Sequence, residues 1–467
     1  MQIVLISTYD LGRQPFGLAS PAAWLREAGH RVTCLDLTRT TLTADVVAGA
    51  DLVAFFLPMH MATRMALPVI DSVRAINPRV HLCAYGLYAP LNEAILRERG
   101  VQTVLGPEFE GDLAELAGAL DWARPVGAVF RPRVLESATG WVEDARPEGR
   151  ANWLRARVAF RTPDRSDLPP LSRYASLQVG DTRKVVGYTE ATRGCKHRCR
   201  HCPIVPVYGG RFRAVPVDVV LADVRAQVAA GAEHITFGDP DFFNGPTHAL
   251  AIVEALAREF RGVSYDVTVK VEHLLRQRTL LPRLRDTGCA FVTTAVESFD
   301  DDVLAALEKG HTHADAEDVA RHCAEIGLTL SPTFVAFTPW TTLDGYCAML
   351  NEIDRLGWVP AVSPIQYAIR LLVPQGSRML ELDDIRRRIE RFDPKSLAWV
   401  WHHEDPGVDA LQRRIEALVG AQLNAPRENV FASVRHLAYS AAGRAAPPRT
   451  PLVSRATIPY LNEPWYC

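Results

Sequence analysis

The strongest constraint on the fold is a regular alternation of short apolar runs with amphipathic segments over residues 1–120. Repeated strand–helix units of this length predict a doubly wound parallel sheet with helices on both faces. Such sheets bind ligands at the carboxyl ends of their strands, but no Gly-x-Gly-x-x-Gly follows the first run, so a dinucleotide site is unsupported. The predicted strands are Ile3–Ser7, Val32–Leu37, Leu52–Leu57, Val80–Tyr85 and Thr103–Leu105, and the predicted helices are Pro21–Ala28, Thr63–Ile76 and Leu91–Arg99.

A second alternation of the same kind begins at Val185 and continues to about Pro374. Residues 121–186 are rich in proline and arginine, which predicts a linker with a short hairpin near Ala151–Arg161. Residues 379–467 are predicted to be mostly helical, with an irregular tail. The predicted strands here are Val185–Thr189, His234–Phe237, Ser264–Lys270, Phe291–Ala295, Thr329–Ala336 and Ile365–Leu372, and the predicted helices are Leu382–Phe392, Val408–Asn424 and Glu428–Ala441.

The composition argues against several classes of protein. A length of 467 residues suggests two or three domains. A net charge of −2 gives no general attraction to polyanions, and no basic aromatic module indicates a nucleic-acid partner. The most apolar stretch, residues 52–70, contains His60, Arg64 and two prolines, so it does not predict a membrane span. Because the chain opens directly into a strand and not a signal peptide, we expect a cytoplasmic protein.

Three of the nine cysteines, Cys195, Cys199 and Cys202, form a Cys-x3-Cys-x2-Cys motif just after the first strand of the second alternation. Three thiolates on one short loop can hold three irons of a 4Fe-4S cluster and leave the fourth iron free to bind a substrate or cofactor. The alternative is a structural zinc site, with His197 or His201 as the fourth ligand. Five other cysteines lie in apolar surroundings and are predicted to be free buried thiols: Cys34, Cys83, Cys289, Cys323 and Cys347.

The cysteine motif and its context resemble the signature of radical S-adenosylmethionine (SAM) enzymes, in which SAM chelates the fourth iron. The resemblance implies a partial (β/α)6 barrel of the TIM type, with its active site at the carboxyl ends of the strands. It also implies reductive cleavage of SAM and an external reductant such as flavodoxin or ferredoxin. An iron–sulfur redox sensor without SAM turnover is the alternative from outside enzymology. The implied α/β chain comprises a Rossmann-like domain (1–120), a linker (121–186), the barrel (187–378) and a helical C-terminal region (379–467).

The resemblance also implies SAM ligands in the loops after the strands. The loop after the second barrel strand binds the SAM amino group in this family, which implies that role for Gly238 and Asp239, although Asp-Pro before aromatics is also a common turn. Glu297 and Ser298 after the fourth strand resemble an element that contacts the SAM ribose or methionine portion. His201 stands where family members place an aromatic residue against the adenine.

Polar residues on two further strands are candidates for substrate or cofactor contacts. Lys270, Glu272 and His273 follow the third barrel strand, where a substrate-binding or proton-transfer role competes with simple pairing of Lys270 and Glu272. Arg370 interrupts the apolar sixth strand. Its guanidinium would either fork onto the SAM carboxylate or form an ion pair at the barrel rim.

The N-terminal region resembles the cobalamin-binding domain that precedes many radical SAM domains. That family often carries Asp-x-His-x-x-Gly after its first strand, where the histidine ligates cobalt. The equivalent loop here, residues 7–13, lacks the histidine. Cobalamin would therefore bind without a lower protein ligand or be absent, and His60 is the nearest candidate for a polar contact.

Four further segments narrow the resemblance to radical SAM proteins with a Cys-Sec-Ala-Glu-Pro or Cys-Cys-Ala-Glu-Pro tail. In that subgroup a Pro-Trp-aromatic-Cys element leads into the tail, and this sequence ends Pro464-Trp465-Tyr466-Cys467. We therefore expect the gene to continue through a selenocysteine codon, the alternative being an ordinary terminus. Cys467 is a candidate catalytic residue, since a thiol or selenol there would bind a thiophilic atom or quench a radical. The four segments are 237–246, 270–273, 338–343 and 369–377.

Radical SAM enzymes of arsinothricin biosynthesis are similar to this subgroup. The similarity implies transfer of a 3-amino-3-carboxypropyl group from SAM to trivalent arsenic, in the biosynthesis of a small molecule. The alternative is cobalamin-dependent methylation of a small molecule or peptide.

Overall fold

The computed structural model describes residues 1–122, 159–422, 425–448 and 459–462. Within these ranges no helix is both long and apolar enough to cross a membrane. The five scattered cysteines are free and buried, as predicted. The hairpin predicted near Ala151–Arg161 falls mostly outside the described residues, as does Cys467.

The N-terminal domain is a five-stranded parallel sheet with the strand order β2-β1-β3-β4-β5. Each of the five strands begins and ends within one residue of its predicted bounds, because apolar runs buried on both faces give a strong sequence signal. Separate apolar clusters fill the two faces of the sheet. The elements are β1 (Gln2–Ser7), α1 (Phe16–Glu27), β2 (Arg31–Asp36), α2 (Ala44–Ala48), β3 (Leu52–Phe56), α3 (His60–Ile76), β4 (His81–Tyr85), α4 (Glu93–Glu98), β5 (Thr103–Val104) and α5 (Phe109–Trp122).

The second domain is a curled seven-stranded sheet with the order β13-β12-β11-β10-β7-β6-β16. Strands β7 and β10 to β13 run parallel as an incomplete barrel, and β6 and β16 extend one edge in antiparallel fashion. Its elements up to β13 are β6 (Ser176–Val179), β7 (Thr182–Thr189), β8 (Thr192–Gly194), α6 (Ile204–Tyr208), β9 (Phe212–Ala214), α7 (Val217–Ala229), β10 (His234–Phe237), α8 (Pro246–Glu259), β11 (Ser264–Thr268), α9 (Val271–Arg276), α10 (Leu281–Asp286), β12 (Cys289–Glu297), α11 (Asp301–Ala306), α12 (His313–Ile326) and β13 (Leu330–Phe334).

The predicted sixth barrel strand, Ile365–Leu372, is wrong. Residues Pro364–Tyr367 form a 3-10 helix, and Arg370 contributes only an isolated bridge to Phe337. The side chain of Gln366 accepts the backbone N–H of Phe334 through its Oε1 atom at 2.9 Å. A side-chain amide therefore supplies a hydrogen bond that a neighbouring strand would otherwise supply to β13.

The C-terminal region is helical, as predicted, except for a short hairpin. The predicted helix Leu382–Phe392 is wrong in its second half, because α14 ends at Arg388 and β14 begins at Ile389. The hairpin packs on the N-terminal domain, where Leu397 joins the apolar cluster of that sheet. The remaining elements are α13 (Leu343–Arg355), α14 (Asp383–Arg388), β14 (Ile389–Asp393), β15 (Ala398–Trp401), α15 (Pro406–Ala421), α16 (Arg427–Ala441) and β16 (Tyr460–Asn462).

Candidate functional site

The three motif cysteines lie on the loop that follows β8. Gly194 precedes the first of them with φ of +74°, and a Cβ atom there would lie 2.4 Å from the ring of Tyr208. Only glycine fits this turn into the loop without strain. Cys195 and Cys199 are buried and Cys202 is partly buried.

The donor set of this loop fits a 4Fe-4S cluster better than a zinc ion. Burial raises the pKa of Cys195 to about 12 and that of Cys202 to about 11, so a bound cation must displace their protons. The three sulfur atoms are not gathered within 4.8 Å of one another. Four ligands around one zinc ion would bring them to about 3.8 Å, given Zn–S bonds of about 2.3 Å. Both histidines proposed as a fourth zinc ligand are bonded to carboxylates of the barrel.

The loop after β10 brings Gly238 and Asp239 beside the strand that leads into the cysteines. A Cβ atom on Gly238 would lie 1.8 Å from the Tyr188 hydroxyl oxygen, so the tyrosine ring occupies the space that glycine leaves. Asp239 accepts hydrogen bonds from the Thr192 hydroxyl at 2.5 Å and from the Ala191 N–H at 2.9 Å. Burial raises the pKa of Asp239 to about 7, against the effect of these two donors. These two hydrogen bonds join the predicted SAM-binding loop to Ala191 and Thr192, which directly precede the cysteine loop.

Glu297 lies at the end of β12 within reach of two cationic groups. Its Oε1 atom is 3.2 Å from His201 Nε2 and 3.3 Å from Lys309 Nζ. Burial opposes ionisation of Glu297, but the charges and hydrogen bonds of Lys309 and His201 outweigh it and lower its pKa to about 2. The backbone of Glu297 has φ of +65°, which is unusual for a residue with a side chain. Ser298 accepts the N–H of Asp300, so its hydroxyl stabilises the turn into α11.

The sequence does not predict the buried Lys309, which lies beside Glu297. Burial lowers the pKa of Lys309, but the charge of Glu297 and, once they are ionised, those of Cys199 and Cys202 outweigh it and raise the pKa. A lysine in this position balances the negative charge of cysteine thiolates. The only sequence signal for it is a lone lysine at a helix end, which is usually exposed.

The segment after β11 contacts both the cysteine loop and the loop after β10. Lys270 and Glu272 lie near His197, and His273 lies near Asp241. Lys270 Nζ lies 3.1 Å from Glu272 Oε2, which is the pairing given as the alternative. His273 Nδ1 lies 2.8 Å from Asp241 Oδ2, and His197 Nε2 lies 3.1 Å from the same oxygen. Hydrogen bonds from the two imidazoles lower the pKa of Asp241 in spite of its burial.

Arg370 forms an ion pair with Asp409, which is the alternative to a contact with the SAM carboxylate. Its Nη1 atom lies 2.7 Å from Asp409, and its guanidinium stacks 3.4 Å from the ring centre of Trp401. His60, the candidate contact of the N-terminal domain, is hydrogen-bonded to the backbone oxygen of Ser396 in the C-terminal hairpin.

A buried ion pair joins the N-terminal domain to the cysteine loop. Arg193, two residues before Cys195, donates to Glu110 of α5 at 2.5 and 2.9 Å and to Glu190 at 2.9 Å. The side chains of Arg193 and Glu110 are 6% and 3% exposed. The sequence does not predict this contact, because Glu110 is separated from Arg193 by more than eighty residues of chain.

A cavity of about 840 Å³ lies inside the curled sheet and extends to Gly238 and Asp239. Tyr460 of β16 and Arg427 of α16 line one side of it, and Leu11 and Arg13 of the N-terminal domain line another. Hydroxyl groups of the barrel strands face it. These are Thr236, Thr268, Thr293, Ser331 and Thr333.

Comparison with known proteins identifies the central part of the chain. Residues 189–341 match the model of the Radical SAM superfamily. The chain is 24% identical over 358 residues to hopanoid C-3 methylase from Methylococcus capsulatus, covering 73% of this chain and 66% of that protein. It is 26% identical over 268 residues to tRNA-2-methylthio-N(6)-dimethylallyladenosine synthase from Thiobacillus denitrificans, covering 53% and 56%. The chain thus spans between about half and two thirds of the length of these curated relatives.

Two solved structures share the fold over most of the chain. The cobalamin-dependent SAM radical enzyme OxsB matches with a TM-score of 0.71 and 14% identity, over 94% of this chain and 72% of that one. The radical SAM methyltransferase TsrM from Kitasatospora setae matches with a TM-score of 0.60 and 18% identity, over 81% and 75%. We conclude that residues 189–341 form a radical SAM domain, and that this domain supports an enzyme with a 4Fe-4S cluster and SAM as cofactors.

Proposed function

We propose that this enzyme transfers a carbon fragment of SAM to a small polar molecule held in the cavity of the curled sheet. The observation that carries the proposal is the position of the cavity, which begins at the predicted SAM loop and is walled by three parts of the chain. A volume of about 840 Å³ suits a small molecule.

In the proposed reaction, different residues of this chain bind the cluster, bind SAM and balance charge. Cys195, Cys199 and Cys202 hold the cluster, and Gly238 with Asp239 orient the SAM amino group. SAM, when bound to the reduced cluster, supplies the carbon fragment. Lys309 and Glu297 keep a balanced pair of charges beside the thiolates. An external flavodoxin or ferredoxin would supply the electron.

Arg427 is the best candidate for substrate recognition in the cavity. Its Nη1 atom donates to the backbone oxygen of Pro360 at 2.8 Å, and its guanidinium lies 4.5 Å from the ring centre of Tyr460. Burial lowers the pKa of Arg427, and no carboxylate among the described residues forms an ion pair with it. A partly buried cation of this kind favours a substrate that brings an anionic group.

The leading candidate for the transferred fragment is the 3-amino-3-carboxypropyl group, with trivalent arsenic as its acceptor. The observation in favour is that β16 lines the cavity and ends five residues before Cys467. Five residues of fully extended chain measure up to about 17 Å. A soft thiol is a suitable ligand for a thiophilic atom.

The second candidate is cobalamin-dependent methylation. The observation in favour is that the fold likeness to OxsB covers 94% of this chain and therefore extends over the N-terminal domain. The described residues do not fit a histidine-ligated cobalamin, because the loop after β1 has no histidine and His60 is bonded to Ser396. Gly12 in that loop accepts the N–H of Ala175. Only binding without a lower protein ligand agrees with these residues.

One anaerobic experiment tests the proposal and separates the two candidates. The reconstituted enzyme is incubated with SAM and a strong reductant, with and without arsenite and cobalamin, and the nucleoside products are identified by mass spectrometry. 5′-Methylthioadenosine supports aminocarboxypropyl transfer, and S-adenosylhomocysteine with bound cobalt supports methylation. 5′-Deoxyadenosine alone, or no product from an enzyme with a full cluster, would contradict the proposed transfer.

A further inference from the structure

The most concentrated group of metal-ligating side chains outside the cysteine loop consists of His197, Asp241 and His273, here called the His–Asp–His triad. One atom of each residue lies within 4.8 Å of the corresponding atoms of the other two. Their side chains are 10%, 1% and 2% exposed. None of the three lines the cavity described above.

The distances within the triad match the ligand shell of a single metal ion. His197 Nε2 lies 3.1 Å from Asp241 Oδ2, His273 Nδ1 lies 2.8 Å from that oxygen, and the two nitrogens are 3.4 Å apart. Metal–ligand bonds of about 2.0–2.1 Å at tetrahedral angles place neighbouring ligand atoms about 3.3 Å apart. The three atoms thus lie close to the positions that one ion requires.

The surroundings of the triad orient its ligand atoms. The second oxygen of Asp241, Oδ1, accepts the N–H of Phe243 at 3.0 Å, which leaves Oδ2 for the triad. The other ring nitrogen of His197, Nδ1, lies 3.6 Å from Glu272 Oε2. The carboxylate on this outer side of the imidazole thus lies just beyond hydrogen-bond distance. Lys270 lies on that outer side, 3.3 Å from His197 Nδ1, and its charge is balanced by Glu272.

We propose that His197, Asp241 and His273 bind one divalent first-row transition ion, separate from the 4Fe-4S cluster. Two imidazoles and one carboxylate are a donor set that suits zinc and ferrous iron. Three protein ligands leave a fourth position of a tetrahedral ion for water or a substrate atom. Because His197 lies between Cys195 and Cys199, the ion would also fix the cysteine loop to α9 and to the loop that follows β10.

Zinc binding to the cluster-loaded full chain tests this site without reference to turnover. After anaerobic reconstitution, incubation with zinc and desalting, we expect one zinc per chain in addition to the cluster iron by mass spectrometry of the metals. X-ray absorption at the zinc edge should show nitrogen and oxygen ligands at about 2.0–2.1 Å. A zinc shell of sulfur at about 2.3 Å, or no retained zinc, would overturn the proposal.

Two variants and a matched control localise the ion. Asp241→Asn and His273→Gln should each lose the nitrogen- and oxygen-bound zinc. His234→Gln should retain it, because His234 forms a comparable buried pair with Asp266 at 2.8 Å but has no second imidazole. Zinc retained in both triad variants would refute the assignment. If either variant fails to fold, the X-ray absorption spectrum of the zinc-loaded wild type still decides whether a zinc site with nitrogen and oxygen ligands exists.

Discussion

The strands of the N-terminal sheet and the parallel strands of the curled sheet are buried differently. In the N-terminal sheet β3 reads Leu-Val-Ala-Phe-Phe, and every residue is buried against apolar side chains. In the curled sheet β11 reads Ser-Tyr-Asp-Val-Thr, with Asp266 and Thr268 facing the cavity and Tyr265 and Val267 in the apolar core. Helices cover both faces of the first sheet, whereas only one face of the second is covered, so its inner face is available for ligands.

The largest effect should come from removing a cluster ligand, which leaves the curled sheet without its cofactor. Cys199→Ala is expected to abolish both the cluster and SAM cleavage, because three cysteines are the minimum that holds the three irons. Iron content, the visible absorption of the cluster and nucleoside products measure this loss. Cys323→Ala, which removes a buried cysteine outside the motif, is the control. Retained SAM cleavage in Cys199→Ala would contradict the assignment of the site.

Breaking the ion pair between the two domains should have the next largest effect. Arg193→Ala leaves the buried Glu110 and the partly buried Glu190 without their cation, which is expected to cost about 3–5 kcal/mol in the free energy of unfolding. Denaturant unfolding measures the change. Arg225→Ala removes an exposed pair with Glu259 and should cost less than about 1 kcal/mol. Equal effects of the two substitutions would show that Arg193 does not hold the domains together.

Acid should weaken the curled sheet through Glu297. Its pKa is about 2 in the folded enzyme and 4.5 as the reference value, so the folded state favours the ionised form. The stabilisation is therefore complete above about pH 4.5 and is lost as the pH falls towards 2. Unfolding midpoints of wild type and Glu297→Gln, measured between pH 6 and 3, should converge as the pH falls. A constant difference over this range would contradict the low pKa.

The smallest expected changes in stability come from single substitutions that compare a fully buried strand with a strand that lines the cavity. Val53→Thr places a hydroxyl in the fully buried N-terminal sheet and is expected to cost about 1–3 kcal/mol. Thr293→Val removes a hydroxyl from the cavity wall and should change the free energy of unfolding by less than about 1 kcal/mol, while it raises KM for the substrate. Denaturant unfolding and steady-state kinetics on both variants measure these effects. A reversed order of stability would contradict the comparison of the sheets.

Strand bounds were predicted most accurately where burial alone decides which residues form a strand. Strands of the N-terminal sheet must be apolar on both faces, so their bounds could be predicted within one residue. Ile365–Leu372 has the same apolar character, but Pro364 begins a 3-10 helix and Gln366 bonds to the edge of β13. The composition of the segment does not distinguish a strand from a 3-10 helix. The hydrogen bond between Gln366 and Phe334 joins residues 32 positions apart, so it cannot be read from the local sequence.

The candidate site could be predicted in part for a similar reason. The cysteine spacing is local and is enough to predict the cluster loop. The partners of Arg370, Lys309 and Arg193 are set by tertiary structure. Asp409, for example, lies 39 residues from Arg370 along the chain. The roles predicted for Cys467, Gly238 and Asp239 stay predictions, as do those of Lys270, Glu272 and His273.

The antiparallel pairing of β16 with β6 has a consequence for synthesis of the enzyme on the ribosome. Ser176–Val179 is made early, but its partner Tyr460–Asn462 follows every other described element. Because translation proceeds at about 5–20 residues per second, the cavity wall stays incomplete for tens of seconds after the cysteine loop has emerged. The order of synthesis therefore leaves an interval in which the cluster can be inserted before the last strand closes over the cavity.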